Sequence, residues 1–494
     1  MTTKGFAWLA AFVCCSPLIS AGPAGVFEKS SDVGTVLNAG SVEYDAAEKT
    51  YIVAGSGENM WAAADAFQYV WKRVSGDVTI GADIAFIGTG GNAHRKAVLM
   101  VRQSLDADSV YVDAAVHGVG LTSIQAREEK GGTTHEVQAN ITAPRRLRLE
   151  KRGDTFYMLV AGEGEQLRLG GGSKRIQLKE PFYVGIGVCA HDPKVVEKAV
   201  FSNVELVTGP PAKSKKPALY STLEVVPVST TDCRTVWVGP GRIESPNWTK
   251  DGATIVYNSN GRIYRVPAAG GKPEVLDTGF ATRVNGHHGI SPDGTQLAIS
   301  DQSRESGRSI VYIVPAGGGV PKRVTAKAPS YFQGWSPDGK TIIFTGERDG
   351  KRDIYSIPAA GGEETRLTTA KGINEGAGYS PDGKIVYFNS DRSGSMQIWR
   401  MQADGTGQEQ VTSGDDGGWF PQVSPNGRQL VFLSVAKEVT GRPLDKYVTM
   451  RMMALGAQQS SFLTGFLGGA GTMDGPAWSP DGRNVAFVSY QLRP

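Results

Sequence analysis

Apolar and polar residues alternate in short bursts along most of the chain, and clusters of Gly, Asp, Asn or Pro close each burst. A period of two reads as a half-buried strand, and turn residues at its ends read as hairpins. In the C-terminal half the bursts keep a fixed frame. The turn Ser-Pro-Asp-Gly occurs at 291–294, 336–339, 380–383 and 479–482, with Thr-Lys-Asp-Gly at 249–252 and Ser-Pro-Asn-Gly at 424–427. Successive copies lie 42, 45, 44, 44 and 55 residues apart. Pro presets the first corner, Asp or Asn bonds the local backbone, and Gly accepts positive φ. An aromatic or apolar residue precedes each turn (Trp248, Ile290, Trp335, Tyr379, Val423, Trp478), and a strand such as Thr-Ile-Ile-Phe at 341–344 follows. A second motif, Arg-Ile-Tyr-Arg-Val-Pro-Ala-Ala-Gly-Gly at 262–271, recurs at 310–319, 353–362 and 397–407, and loosely at 448–456. A further short strand usually follows it, as at 366–368 and 410–412. Each unit therefore holds four strands, and a repeat of ~40–45 residues with four strands is a propeller blade.

Six such units are expected. The sixth ends at Pro494 just after its second strand, 484–490, and the segments 221–228 and 234–238 are expected to complete it and close the ring. Closure would remove open sheet edges. These repeats resemble the TolB-type six-bladed propeller family over about 218–494. The resemblance implies a periplasmic or secreted propeller; some members bind proteins and others are carbohydrate-active enzymes. The N-terminal domain through which a true TolB contacts the Tol–Pal system is not recognisable, which argues against a literal TolB role.

Residues 25–207 lack the repeat but alternate at 78–80, 97–101, 147–150, 182–188 and 199–206, favouring a two-sheet sandwich. The stretch 57–61, then Asp65, Phe67, Tyr69 and Trp71, with 100–104, 148–153 and 182–188, resembles a concanavalin A-like or laminin-G-like jelly roll. The expected fold class is thus all-β: an N-terminal jelly-roll sandwich, 22–207, a Pro/Lys linker, 208–217, and a six-bladed propeller, 218–494. Trp61 and Trp71 are expected in the core, and Asp65 and Arg102 suit an internal ion pair as well as a ligand contact.

Composition fits this picture. Of 494 residues 64 are Gly, as many turns require, and 52 basic against 49 acidic residues give a net charge of +3. That balance does not point to nucleic acid. Lys4, an apolar run at 6–15 and small residues at 20–22 have the order of a secretory signal peptide, 1–21; export to the periplasm or medium is expected, ahead of a lipoprotein anchored at Cys14 or Cys15. No later stretch has membrane-spanning length. The mature chain keeps Cys189 and Cys233, expected as two buried free thiols. A monomer is expected.

Chemistry is sparse. The chain has six His and no His-Glu-x-x-His, Cys-x-x-Cys, Gly-x-Ser-x-Gly or phosphate loop. The strand before each turn should line the propeller channel. Five residues before each turn stand Glu244, Gly286, Tyr331, Glu375, Trp419 and Asp474, and one later Ser245, His287, Phe332, Gly376, Phe420 and Gly475. The expected mouth joins His287, Glu375 and Asp474 as catalytic candidates with Glu244, His288, Tyr331, Gln333, Asn374, Trp419 and Gln422 as ligand contacts. Of His287 and His288 only one can face the channel, because neighbours on a strand point to opposite faces. Aromatic faces with amides and carboxylates suit a sugar. No cofactor is expected, although one His with a carboxylate and a Gln could hold a divalent metal. The fold also resembles oligogalacturonate lyases, whose channels hold a metal on His and Gln, but two His in the propeller are too few for such a site. Three readings follow: an exported protein recognising a polysaccharide, an oligosaccharide or an envelope protein; a polysaccharide lyase or glycoside hydrolase; and a Tol-like envelope component.

Overall fold

The computed structural model describes residues 25–210, 217–304, 307–439 and 441–493. The signal peptide expected at 1–21 and most of the linker expected at 208–217 lie outside the described residues. The described chain is all-β, and none of its helices is long and apolar enough to cross a membrane.

Five units fold as four-stranded antiparallel blades, spanning 243–276, 284–323, 330–366, 374–410 and 417–468. The turn motif that separates them is locked locally. In the copy at 336–339, the Ser336 hydroxyl donates to Asp338 at 2.6 Å and accepts the Thr341 N–H at 2.9 Å, while Gly339 holds a φ of 69°. The blades then pack through apolar faces; Ile342, Phe344 and Ile357, for example, share a buried cluster with Trp335.

The sixth blade is corrected. The described residues hold five blades, because their remaining strands do not form a four-stranded sheet of their own. The segment ahead of the last turn meets the last strand through an isolated bridge, Trp478 to Val485, and a single bond from the Val488 N–H to the Thr472 carbonyl, not through a regular ladder. It carries Gly469, Gly471 and Gly475 with Pro476, which lacks a donor, so regular pairing is interrupted. The strands Ala218–Pro227, Cys233–Pro240 and Asn484–Arg493 instead end a ten-stranded sheet that runs on into the N-terminal half. The junction is a short parallel pairing of Val137 with Cys233 and Gln138 with Arg234.

This continuity also corrects the free-standing jelly roll. Two N-terminal sheets do share one core, with Val70, Leu99 and Val184 of one facing Ile80, Leu147 and Phe156 of the other. The first sheet, however, is the ten-stranded one, and the second reaches the C-terminal strand directly. Tyr157 donates to the Leu492 carbonyl at 3.0 Å, and Arg493 pairs with Glu150 at 2.7 Å. Burying the outer edge of Cys233–Pro240 under Thr134–Gln138 removes an edge that would otherwise invite aggregation. Cys189 and Cys233 are both free and buried.

Candidate functional site

The inner strands of the five blades, Ile243–Trp248, Val284–Ile290, Ser330–Trp335, Asn374–Tyr379 and Gly417–Val423, stand side by side around the channel. Each carries a register shift at the level of the candidate residues. Such irregularities re-aim side chains. Ser245, Gly376 and Phe420 have φ of 56°, 68° and 53° there.

Six of the candidates meet in one cluster, five from these strands and Asp474 from the segment ahead of the last turn. His287, Tyr331 and Gln333 meet on one side: the His287 Nδ1 lies 3.2 Å from the Gln333 amide, and its ring centroid 5.5 Å from that of Tyr331. Glu375, Asp474 and Glu244 supply three carboxyl groups. Two arginines that the repeat frame did not expose complete the cluster. Arg442, from the long loop before Lys446–Ala454, bonds Asp474, lies 3.9 Å from Glu375 and reaches His287 Nε2 at 3.3 Å. Arg352 lies 3.3 Å from Glu375 and 5.4 Å from the Tyr331 ring centre.

His287 thus faces the channel, and its protonation follows. A guanidinium can only donate, so Nε2 accepts and Nδ1 carries the proton; the Gln333 amide, whose nitrogen stands 3.2 Å from Nδ1, receives that proton through its oxygen when the side-chain amide is turned over. Burial, then Arg442 and Arg352, hold its pKa well below the usual imidazole value, so it is neutral at physiological pH. Burial raises the Asp474 pKa despite Arg442, with Glu375 adding repulsion; Glu244 is raised by burial and by Asp474. Burial works against the Arg442 charge, but Asp474 and Glu375 outweigh it and push its pKa up.

The other candidates lie elsewhere. His288 is fully buried at the opposite face, near the Val256 backbone, with burial lowering its pKa to about 4. Asn374 is buried in a structural network, donating to Asp353 at 3.1 Å and accepting from Arg392 at 2.6 Å. Trp419 is packed in the core, and Gln422 is half-buried, its backbone carbonyl accepting the Trp478 indole N–H at 3.0 Å.

Chemically, the cluster is a partly paired charge network. Glu375 Oε1, Asp474 Oδ1 and Asn247 Oδ1 are buried acceptors without a hydrogen-bond partner, and Arg352 Nε and Arg442 Nε are buried donors without one. Acid–base roles for Glu375 and Asp474 are weakened by their pairing with arginines, and a neutral His287 bonded at both nitrogens has no proton to exchange without breaking a bond. No three His, Cys, Asp or Glu among the described residues converge to hold a metal ion.

The comparisons concern mainly the propeller. The family model of the TolB beta propeller domain matches residues 326–492. An uncharacterized protein of Agrobacterium fabrum is 45% identical over 289 residues, which are 58% of this chain and 97% of that one. A solved structure from Agrobacterium tumefaciens, provisionally called TolB, is 45% identical with a TM-score of 0.54, over 55% of this chain and 99% of that chain. The Tol-Pal system protein TolB of Francisella tularensis is 29% identical over 114 residues, 22% of this chain and only 25% of that protein.

Proposed function

Because this chain belongs to the TolB-like β-propeller family, we propose that it is an envelope protein, periplasmic or secreted, that recognises another protein through the propeller mouth. The observation that carries this reading is the set of orphaned acceptors on Glu375, Asp474 and Asn247, beneath a loop that delivers Arg442. Buried acceptors without partners cost roughly 1–3 kcal/mol each, so a donor entering the mouth would be rewarded. The acids Glu244, Glu375, Asp474 and Asp445 outnumber the guanidiniums of Arg242, Arg352 and Arg442, and Arg242 is already spent on Asp445 at 2.6 Å. The segment that fits is therefore one presenting a Lys, an Arg or a free amino terminus.

The test is site-specific photo-crosslinking in the producing cell, with the reactive residue at position 331. One envelope protein should be captured, and Asp474→Asn in the same protein should cut the yield at least several-fold. Capture equal to that at the exposed Val320 would overturn the proposal. So would oligosaccharides released from a polysaccharide by the wild type and not by Glu375→Gln.

A further inference from the structure

Three of the six histidines converge far from the mouth, on the outer face of the ten-stranded sheet. The His94 ring lies 5.9 Å from that of His117 and 5.5 Å from that of His191. They border a cavity of about 300 Å³ that also contains Trp61, Glu136 and Asp232. A second cavity, about 660 Å³, lies against it, and both are lined by Asn59, Trp61 and His191. The two form one groove passing Trp61, each within the volume range of ordinary ligand sites, roughly 300–1,000 Å³.

The groove has a built floor. Trp61 sits in a hairpin, Met60–Trp61 against Ala64–Asp65, that buried charges clamp to the sheet. Arg127 pairs with Asp65 at 2.7 Å and donates to the Ala62 carbonyl at 3.1 Å; Arg102 approaches Asp65 at 3.3 Å. Lys96 spends its three protons on Asn59 Oδ1, the Met60 carbonyl and Gln125 Oε1, so it fixes the hairpin and has none left for a ligand.

One donor of the groove lining is left open. Gln125 is oriented by Lys96 at its oxygen and by Glu136 at its nitrogen, 3.3 Å each. Its N–H therefore donates to His117 Nε2 at 3.1 Å, and the proton of the neutral ring sits on Nδ1. Burial, with Lys96 and the other two imidazoles, lowers the His117 pKa to about 3, so the ring stays neutral. His117 is only 5% exposed, and Nδ1 has no partner. A buried N–H without an acceptor beside a half-exposed indole awaits an oxygen on a flat, partly apolar body.

We propose that this groove binds a saccharide chain, with one sugar ring against Trp61, a ring or hydroxyl oxygen on His117 Nδ1–H, and hydroxyls donating to Glu136 and Asp232. Mixed donors and acceptors around one aromatic face match a polyhydroxylated ring. A phosphate or other strong anion fits poorly, because Lys96 is spent and two carboxylates stand opposite. An extended peptide fits poorly too, because the floor strands Tyr111–His117 and Thr122–Arg127 are internal and already paired on both sides.

The experiment uses the full mature chain on an array of neutral, amino and uronate oligosaccharides, followed by titration calorimetry and tryptophan fluorescence with the retained sugar. Saturable binding is expected. Trp61→Ala and His117→Phe should each weaken it at least tenfold, Trp61→Phe only a few-fold, and Asp474→Asn in the mouth not at all. Retention of no sugar overturns the proposal, as does an affinity unchanged in both Trp61→Ala and His117→Phe. Urea midpoints of the variants identify misfolding, and in that event quenching of the wild-type indole fluorescence by the sugar decides, its absence counting against the proposal.

Discussion

Two buried imidazoles, one in each half of the chain, end in opposite states. His287 is bonded at both ring nitrogens, by Arg442 and Gln333, while His117 is bonded at one and leaves Nδ1–H free. Both are kept neutral by burial and by nearby cations. The difference lies in what the chain supplies around them. The mouth has brought in its own guanidinium, so its imidazole is engaged, and its unmet groups are carboxylate and amide oxygens together with the Nε donors of Arg352 and Arg442. The groove has used its cation to hold the floor, and its unmet group next to the cavity is a donor. Burial and a shifted pKa therefore do not identify a ligand site by themselves; the partner count at each ring nitrogen separates the two, an engaged imidazole in the mouth and one with an open N–H in the groove.

The largest expected effect breaks the groove and leaves the mouth intact. Arg127→Met removes one guanidinium from a triad in which Arg102, Arg127 and Asp65 have fully buried side chains. Losing one partner of a buried ion pair costs about 3–5 kcal/mol, because the remaining charge stays desolvated. The urea midpoint should fall accordingly, near-ultraviolet circular dichroism should report Trp61 moving, and crosslinking at position 331 should persist in the fraction that folds. A loss within half a kcal/mol would show that the hairpin is not held by this triad.

The next effect tests whether the two regions unfold as one. Glu224 is fully buried in the shared sheet, bonded by Ser489, and burial pushes its pKa up to about 7 from the ordinary glutamate value near 4.5. Between those values the native state holds a proton that the unfolded chain has released, so stability falls as pH rises through this window, by about 3 kcal/mol. Glu224→Gln should remove that slope and raise the urea midpoint at mildly alkaline pH, with little change at acid pH. Because the strand joins both halves, fluorescence and far-ultraviolet signals should shift together; separate transitions would show that the shared sheet does not couple them.

How much of this was legible in the sequence depends on whether the determinant is local. The turn motif is local, since Ser336, Asp338 and Gly339 satisfy one another within a few residues, so the repeat could be read directly. The channel positions could be read from the same frame, and Glu244, His287, Tyr331, Gln333, Glu375 and Asp474 do meet. The blade number could not, because it turns on the pairing of Val137 with Cys233, 96 residues apart in sequence, which no repeat encodes. Arg442 and Arg352 stand outside the repeat frame. The groove was missed for a related reason. The sequence places Trp61 in the core, and only the fold brings His94, His117 and His191 together beside it. The signal that could have pointed there was the two-residue period of Asp113, Ala115 and His117, which sets polar groups on the outer face of a strand whose other side is apolar.

The smallest effect on stability gives the sharpest test of the mouth. Asp474 has a raised pKa because burial, with repulsion from Glu375, outweighs its pairing with Arg442. A carboxyl shifted upward on folding lowers stability once pH exceeds its unfolded pKa, and the full penalty applies above its folded pKa. Asp474→Asn keeps the shape and removes the charge, leaving Arg442 with Glu375 at 3.9 Å and Glu244 relieved of a like charge. The urea midpoint at neutral pH should therefore stay the same or rise, and the difference should vanish as pH falls through the native carboxyl's pKa. Partner capture at position 331 should fall in the same variant. A clear loss of stability at neutral pH would mean that the pair with Arg442 holds the fold together, and that the unmet oxygens of the mouth are a cost of assembling the propeller rather than a place kept for a partner.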